Sequence, residues 1–185
     1  MRIIAGTARG RKIEAPPGTH TRPTLDRVRE NLFNMIQGYT GDSKVLDLFA
    51  GSGSLSLEAV SRGAERAVLC DSDLRAHLVE KRNAESLGFG EKTQLFHCDW
   101  RKAVSALERE GRTFDLVFLD PPYAMTDLNE VFSALIPLIT GDSLIVLEHE
   151  ARASVSVPGR YEVFKSRSWG YCSVTLYRLL QEGSS

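Results

Sequence analysis

The sequence predicts an α/β fold: a mostly parallel, doubly wound sheet of seven strands with a C-terminal antiparallel hairpin and a small N-terminal extension. Three observations predict it. Strand-like and helix-like segments alternate from residue 45 onward. The inner strands are unbroken apolar runs, such as Val45-Leu46 and Leu116-Val117-Phe118-Leu119, as expected where both sheet faces are covered. From Tyr161 onward the chain changes to more polar/apolar alternation around a turn.

The chain begins with two short extended pieces, Arg2 to Ala5 and Arg11 to Ala15, punctuated by Gly6 and Gly10. Pro16-Pro17-Gly18 interrupts regular structure. Thr24 suits the N-cap of a helix running to about Ile36, with Leu25, Val28, Leu32, Met35 and Ile36 as its buried stripe. Residues 1–40 thus form a basic arm with a hairpin and helix, and residues 41–185 the main domain. In that domain Val45 to Phe49 reads as the first strand, followed by a glycine turn and a helix from Ser54 to Arg62. Ala67 to Cys70 is the second strand, and Ser72 caps a helix ending near Gly88. Thr93 to Phe96 is the third, followed by a helix from Trp100 to Arg109. Phe114 to Leu119 is the fourth, ending at Asp120-Pro121-Pro122-Tyr123; Asp115 reads as a structural surface acid. A helix from Leu128 to Leu138 leads to a fifth strand, Ser143 to Leu147. Tyr161 to Lys165 and Ser173 to Leu179 make the terminal hairpin.

Composition excludes several classes. With 185 residues, 42% hydrophobic and 25% charged, the chain is that of an ordinary globular domain. It has no apolar run of the ~20 residues that cross a bilayer and no signal-peptide core, so the cytoplasm is expected. Cys70, Cys98 and Cys172 are widely spaced and, with four scattered histidines, give no metal-ligand pattern. Residues 1–30 carry seven basic and three acidic side chains, which leaves −5 for the rest of a chain of net charge −1. A basic arm on an acidic body is suited to a nucleic-acid partner.

Doubly wound sheets bind ligands beyond the carboxyl ends of their strands. Three features fall there. In Asp47-Leu48-Phe49-Ala50-Gly51-Ser52-Gly53 the glycines allow a tight turn close to a ligand. Asp71, eighteen residues after Gly53, can accept hydrogen bonds from ribose hydroxyls. Asp99, past the third strand, is placed to meet an adenine amino group. These features fit a nicotinamide or an S-adenosylmethionine site. Ser56 stands where GxGxxG has its third glycine, and Asp47 would repel a pyrophosphate yet attract a methionine ammonium; both favour S-adenosylmethionine.

Asp120-Pro121-Pro122-Tyr123 is the most specific motif. An exocyclic base amine is a weak nucleophile because its lone pair is delocalised into the ring. The Asp120 carboxylate and the Pro121 carbonyl can accept its hydrogens and turn the lone pair toward a methyl donor. Pro121 and Pro122 stiffen the loop, and the Tyr123 ring can stack on an extruded base. The expected reaction is an in-line displacement driven by positioning and electrostatics, with no metal and no covalent enzyme intermediate.

The glycine loop, Asp71 and Asp120 to Tyr123 resemble class I amino-methyltransferases, which have a Rossmann-like fold. More narrowly, Thr21-Arg22-Pro23-Thr24, Asp26 to Glu30, Leu32-Phe33-Asn34, Arg2 to Gly6, Gly10-Arg11-Lys12, Leu55 to Ala59 and Glu148-His149-Glu150 are similar to the bacterial family that methylates a guanine N2 in small-subunit (16S) ribosomal RNA. The resemblance runs almost end to end. It implies S-adenosylmethionine as donor, held by Asp47, Phe49, Gly51, Gly53, Asp71 and Asp99, and catalysis by Asp120, Pro121, Pro122 and Tyr123. It also implies a monomer acting on 16S rRNA within the small subunit or an assembly intermediate. Ser56 departs from the family's usual glycine, and Trp169-Gly170-Tyr171-Cys172 from its Tyr-Gly-x-Thr.

Arg9, Arg11, Lys12, Arg22 and Arg27 are the phosphate-contact candidates. Tyr171 can stack on RNA, Trp169 is expected to pack in the core or against the hairpin, and His149 to be a hydrogen-bonded strand-end residue. Three other functions compete. An adenine-N6 methyltransferase would use the same motif. A nicotinamide oxidoreductase is disfavoured by Ser56 and Asp47, and an inactive RNA-binding module by the intact Asp120 to Tyr123.

Overall fold

Each apolar run becomes a strand of one sheet, because only a central position between two helical layers removes both faces of such a run from water. In the computed structural model, which describes residues 1–16 and 23–180 and only the backbone of 23–25, the elements are α1 (Pro23–Met35), β1 (Lys44–Asp47), α2 (Ser54–Ser61), β2 (Arg66–Asp71), α3 (Leu74–Leu87), β3 (Thr93–His97), α4 (Trp100–Arg109), β4 (Phe114–Leu119), α5 (Asn129–Leu135), β5 (Ile139–Glu150), β6 (Tyr161–Trp169) and β7 (Cys172–Leu179). The sheet order is β3-β2-β1-β4-β5-β7-β6. Strands β1 to β5 are parallel; β7 runs antiparallel between β5 and β6. The order reverses between β1 and β4, which opens a crevice at their carboxyl ends.

Two hydrophobic cores cover the sheet. On one face α1, α2 and α3 bury Leu32, Phe33, Leu57 and Leu87 together with Ile3, Ala8 and Ile13 of the arm. On the other, α4 and α5 bury Leu107, Phe132 and Leu135 with Tyr161 and Tyr177. Trp169 packs partly buried against the first core, as expected.

The arm is a small hairpin, with an antiparallel bridge between Arg2 and Lys12. It is held to α2 by polar contacts. The buried Glu58 carboxylate accepts Ile4 N (2.7 Å), Ala5 N (3.0 Å) and Arg62 Nε (2.7 Å). Gly6, at φ +82°, lies so close to the end of α2 that an added Cβ would sit 1.8 Å from the Ser61 carbonyl oxygen. Asn83 of α3 ties Glu14 N and O to the Ser52 carbonyl.

Several boundaries differ from expectation. The first helix begins at Pro23, so Thr24 lies inside it rather than capping it. Asp73, not Ser72, caps α3 by accepting Arg75 N at 2.8 Å. Pro137 cannot donate to a helical ladder, and α5 ends at Leu135 in a 3-10 turn over Ile136–Leu138. β5 is longer than Ser143 to Leu147 because it pairs with β4 from Ile139 and with β7 out to Glu150. The terminal hairpin is likewise extended, to Trp169 and back to Cys172. Asp115 is structural, as expected: it accepts Lys44 N at 2.8 Å and joins the starts of β4 and β1.

Candidate active site

A cavity of about 480 Å³ lies at the switch point, at the carboxyl ends of β1, β2, β4 and β5 and the N-terminus of α4. Its size is within the range of small-molecule sites. Of the residues expected from sequence, Phe49, Gly51, Asp71, Asp99, Asp120, Pro121, Pro122 and Tyr123 all line it. Leu48, Ser72, Trp100 and Glu148 complete the wall. A second cavity of about 210 Å³ shares Phe49, Gly51, Asp120 and Glu148 with the first. Its far side is formed by Met1, Ala15, Pro16 and Arg29, so the arm is part of the site's wall.

The glycine loop is shaped by its neighbours. Gly51 adopts φ +59° and donates its N–H to Asp71 Oδ2 at 2.9 Å. The other Asp71 oxygen accepts Asp73 N at 2.8 Å, so two of its roughly four acceptor sites are filled and the rest are free for ligand hydroxyls. Asp99 caps α4 through Arg101 N at 2.9 Å while lining the cavity.

Asp47 and Gly53 line neither cavity. Asp47 is 1% exposed; its Oδ2 accepts the Ser56 hydroxyl at 2.9 Å, and its Oδ1 has no partner among the described residues. Burial pushes its pKa up to about 7 despite the Ser56 and Phe49 hydrogen bonds. Asp47 thus sits beneath the loop, bonded to Ser56, rather than in either cavity wall. Gly53, at φ +75°, starts α2; a Cβ there would come within 2.9 Å of Leu69 Cδ2.

Asp120 keeps an exposed face on the cavity. The protein packed around its carboxyl, then the charges of Glu148 and Asp47, raise its pKa well above the usual carboxylate range. Tyr123 is 46% exposed at the cavity mouth, as a stacking platform requires. Glu148 is the wall residue that sequence reasoning misses: it stands there within a motif, with no role of its own. The signal that could find it is an acid at the carboxyl end of a parallel strand. Burial raises its pKa too, and Cys172 Sγ lies 3.3 Å from its Oε1.

The RNA candidates separate. Arg9 and Arg27 come together with Arg2 around an open cavity of about 380 Å³ on the arm and α1. Arg11 is tied instead to the carboxyl end of α3, through the Ser86 and Leu87 carbonyls. Lys12 is exposed on the hairpin, and Arg22 lies outside the described residues. His149 is hydrogen-bonded at the strand end, as expected, to the Glu150 carbonyl (2.9 Å) and Thr175 Oγ1 (3.0 Å). Tyr171 is 41% exposed. Among the described residues there is no group of three or more His, Cys, Asp or Glu that could hold a metal ion, and no helix long and apolar enough to cross a membrane.

A doubly wound sheet with an added antiparallel β7, a glycine loop after β1, acids after β2 and β3 and Asp-Pro-Pro-Tyr after β4 defines the class I methyltransferase fold. A SAM-dependent methyltransferase from Agrobacterium tumefaciens shares that fold at 19% identity (TM-score 0.64, 87% of this chain and 63% of that one). The family model described as "Conserved hypothetical protein 95" matches residues 1–178, and the chain belongs to that family. Ribosomal RNA small subunit methyltransferase D of Escherichia coli is 34% identical over 188 residues, covering 100% of this chain and 93% of its own length. The solved structure of yhhF from Escherichia coli superimposes with a TM-score of 0.83 at 33% identity, over 98% of this chain and 99% of that one.

Proposed function

We propose that this chain transfers a methyl group from S-adenosylmethionine to the exocyclic N2 of a guanine in small-subunit (16S) ribosomal RNA. The observation that carries this reading is a single cavity shared by Gly51, Asp71 and Asp99 on one side and Asp120 to Tyr123 on the other. Kinship with small-subunit rRNA methyltransferases supports the choice of RNA.

The residues present fit the cofactor. Asp71 offers free acceptor sites for ribose hydroxyls and Asp99 a carboxylate for an adenine amine. Phe49 supplies an apolar wall, and Gly51 lets the backbone approach closely. Asp71 and Asp99 make the cofactor end of the lining acidic, which suits a cationic ligand. S-adenosylmethionine supplies an electrophilic methyl group there.

The chain's own part is positioning. Asp120 and the Pro121 carbonyl accept the hydrogens of the guanine amine and aim its lone pair into the cavity, and Tyr123 stacks on the extruded base. Arg9, Arg27, Lys12 and Arg22, on the arm of residues 1–40, contact RNA phosphates. Residues 41–185 carry the chemistry. The enzyme acts as a monomer in the cytoplasm, on the small subunit or a particle on its assembly path.

Calorimetry tests the cofactor assignment. S-adenosylmethionine should bind with one site per chain and NAD should not; binding of NAD alone would make this an oxidoreductase.

A further inference from the structure

Two carboxyl groups stand side by side in the candidate active site, and the methyl-transfer scheme uses only one. In the parallel pairing of β4 with β5, Leu119 is opposite Leu147. The next residues are Asp120, just past the end of β4, and Glu148 of β5, so the two carboxyl groups stand at neighbouring strand ends. Both line the 480 Å³ cavity and the smaller one beside it. No described residue makes a salt bridge to either; the protein contact made to the Glu148 carboxyl is the Cys172 thiol at 3.3 Å. Carboxyl groups that line a cavity and have no salt-bridge partner are free to accept hydrogen bonds from a ligand's donors.

The base proposed above has those donors. On the Watson–Crick edge of guanine the N2 amine is flanked by N1–H, a second donor. On adenine the N6 amine is flanked by N1, a lone pair. We propose that Glu148 is a specificity residue that selects guanine: its carboxylate accepts N1–H while Asp120 and the Pro121 carbonyl hold the N2 amine. Adenine in the same place would set its N1 lone pair against the carboxylate. The acid that β5 places beside Asp120, rather than the Asp-Pro-Pro-Tyr motif, then distinguishes a guanine-N2 enzyme from an adenine-N6 one. This inference rests on the guanine-N2 reading and deepens it.

A base analogue separates this hydrogen bond from general damage. 2-Aminopurine keeps the amine at C2 but has a lone pair at N1. Small subunits are reconstituted with guanine or 2-aminopurine at the nucleotide that mapping finds methylated, and single-turnover methyl transfer is measured. The wild-type protein should favour guanine by on the order of 100-fold. Glu148→Ala should lose most of the guanine rate and little of the 2-aminopurine rate, bringing the preference within about 10-fold. Glu148→Gln, nearly isosteric and able to donate from its amide, should shift the preference the same way, with S-adenosylmethionine affinity unchanged. Loss of O6 in the analogue is common to all three proteins and cancels in the comparison. An equal fall on both substrates in both variants, or an unchanged guanine preference, overturns the role of Glu148 and leaves the guanine reading standing. A wild-type protein that methylates neither subunit overturns both.

Discussion

The Ser56 hydroxyl donates to Asp47 Oδ2 at 2.9 Å, beneath the glycine loop, where both residues are almost fully buried. The pair joins the end of β1 to the first turn of α2 and so fixes the loop between them. The serine at this position therefore supplies a hydrogen bond that a glycine could not. Ser56→Gly should lower stability by about 1 kcal/mol and weaken S-adenosylmethionine binding only modestly. Denaturant unfolding and calorimetry would show this; a variant as stable as the parent would mean the bond carries no net weight.

Stability should depend on pH through two buried carboxyls. Burial raises Asp47 to about 7 and Glu80, which faces the Asp47 and Asp71 charges, to about 8. Both bind a proton more tightly in the folded chain than in the unfolded one, where values near ~4 apply. Folding thus takes up protons across this window, and the stability these groups allow falls as pH rises from about 4 to about 8. Glu80→Gln should flatten that slope. It should raise Tm at pH 8 by roughly 5 °C and change it little at pH 4. An unaltered slope in thermal melts across that range would show that Glu80 is not titrating there.

Gly6→Ala should cost about 2 kcal/mol or more, because the new methyl meets backbone at the Ser61 carbonyl and φ is +82°. Increased protease sensitivity confined to residues 1–16 would accompany the destabilisation. A melting temperature equal to wild type would contradict the docking described for the arm.

Charge reversal at Arg9 and Arg27 should weaken RNA binding and reduce its salt dependence, with the slope falling by about 1 for each phosphate that is no longer neutralised. Arg11→Glu is expected to act differently. It breaks the tie to the end of α3 and should register mainly as reduced stability. Filter binding over a range of salt concentrations, beside thermal melts, separates the two. An unchanged salt slope in the Arg9/Arg27 variant would exclude that surface.

The sheet is legible in the sequence because its information is local. Apolar runs such as Leu116 to Leu119 lie between turn residues, and helical periodicity marks Val28 and Leu32. The walls of the cavity are legible for the same reason, since Gly51, Asp71, Asp99 and Asp120 each lie at or past the carboxyl end of a strand. What escapes depends on register and depth. Glu148 gains its place beside Asp120 from the pairing of β4 with β5. Asp47, like Asp71, is an aspartate at the end of a strand, but its side chain points beneath the loop to Ser56 and lines neither cavity. Arg11 stands out by charge alone, and its carbonyl partners lie 75 and 76 residues away in sequence. The length of β5 is hidden because pairing, with β4 at Ile139 and with β7 out to Glu150, extends it rather than apolarity.

Asp120→Ala should reduce turnover by on the order of 100-fold or more and leave S-adenosylmethionine affinity nearly intact. In the wild-type protein, activity should rise with pH, since burial and the nearby Glu148 and Asp47 charges hold a proton on Asp120 beyond the usual carboxylate range. A variant with full activity would remove Asp120 from the chemistry.

The central claim is the transfer of a methyl group to a guanine amine of small-subunit RNA. Its most direct test is incubation of the protein and methyl-labelled S-adenosylmethionine with small subunits from a strain lacking the corresponding enzyme, followed by digestion to nucleosides. The label should appear in N2-methylguanosine from 16S RNA. Label in N6-methyladenosine, or none in RNA at all, would contradict the account.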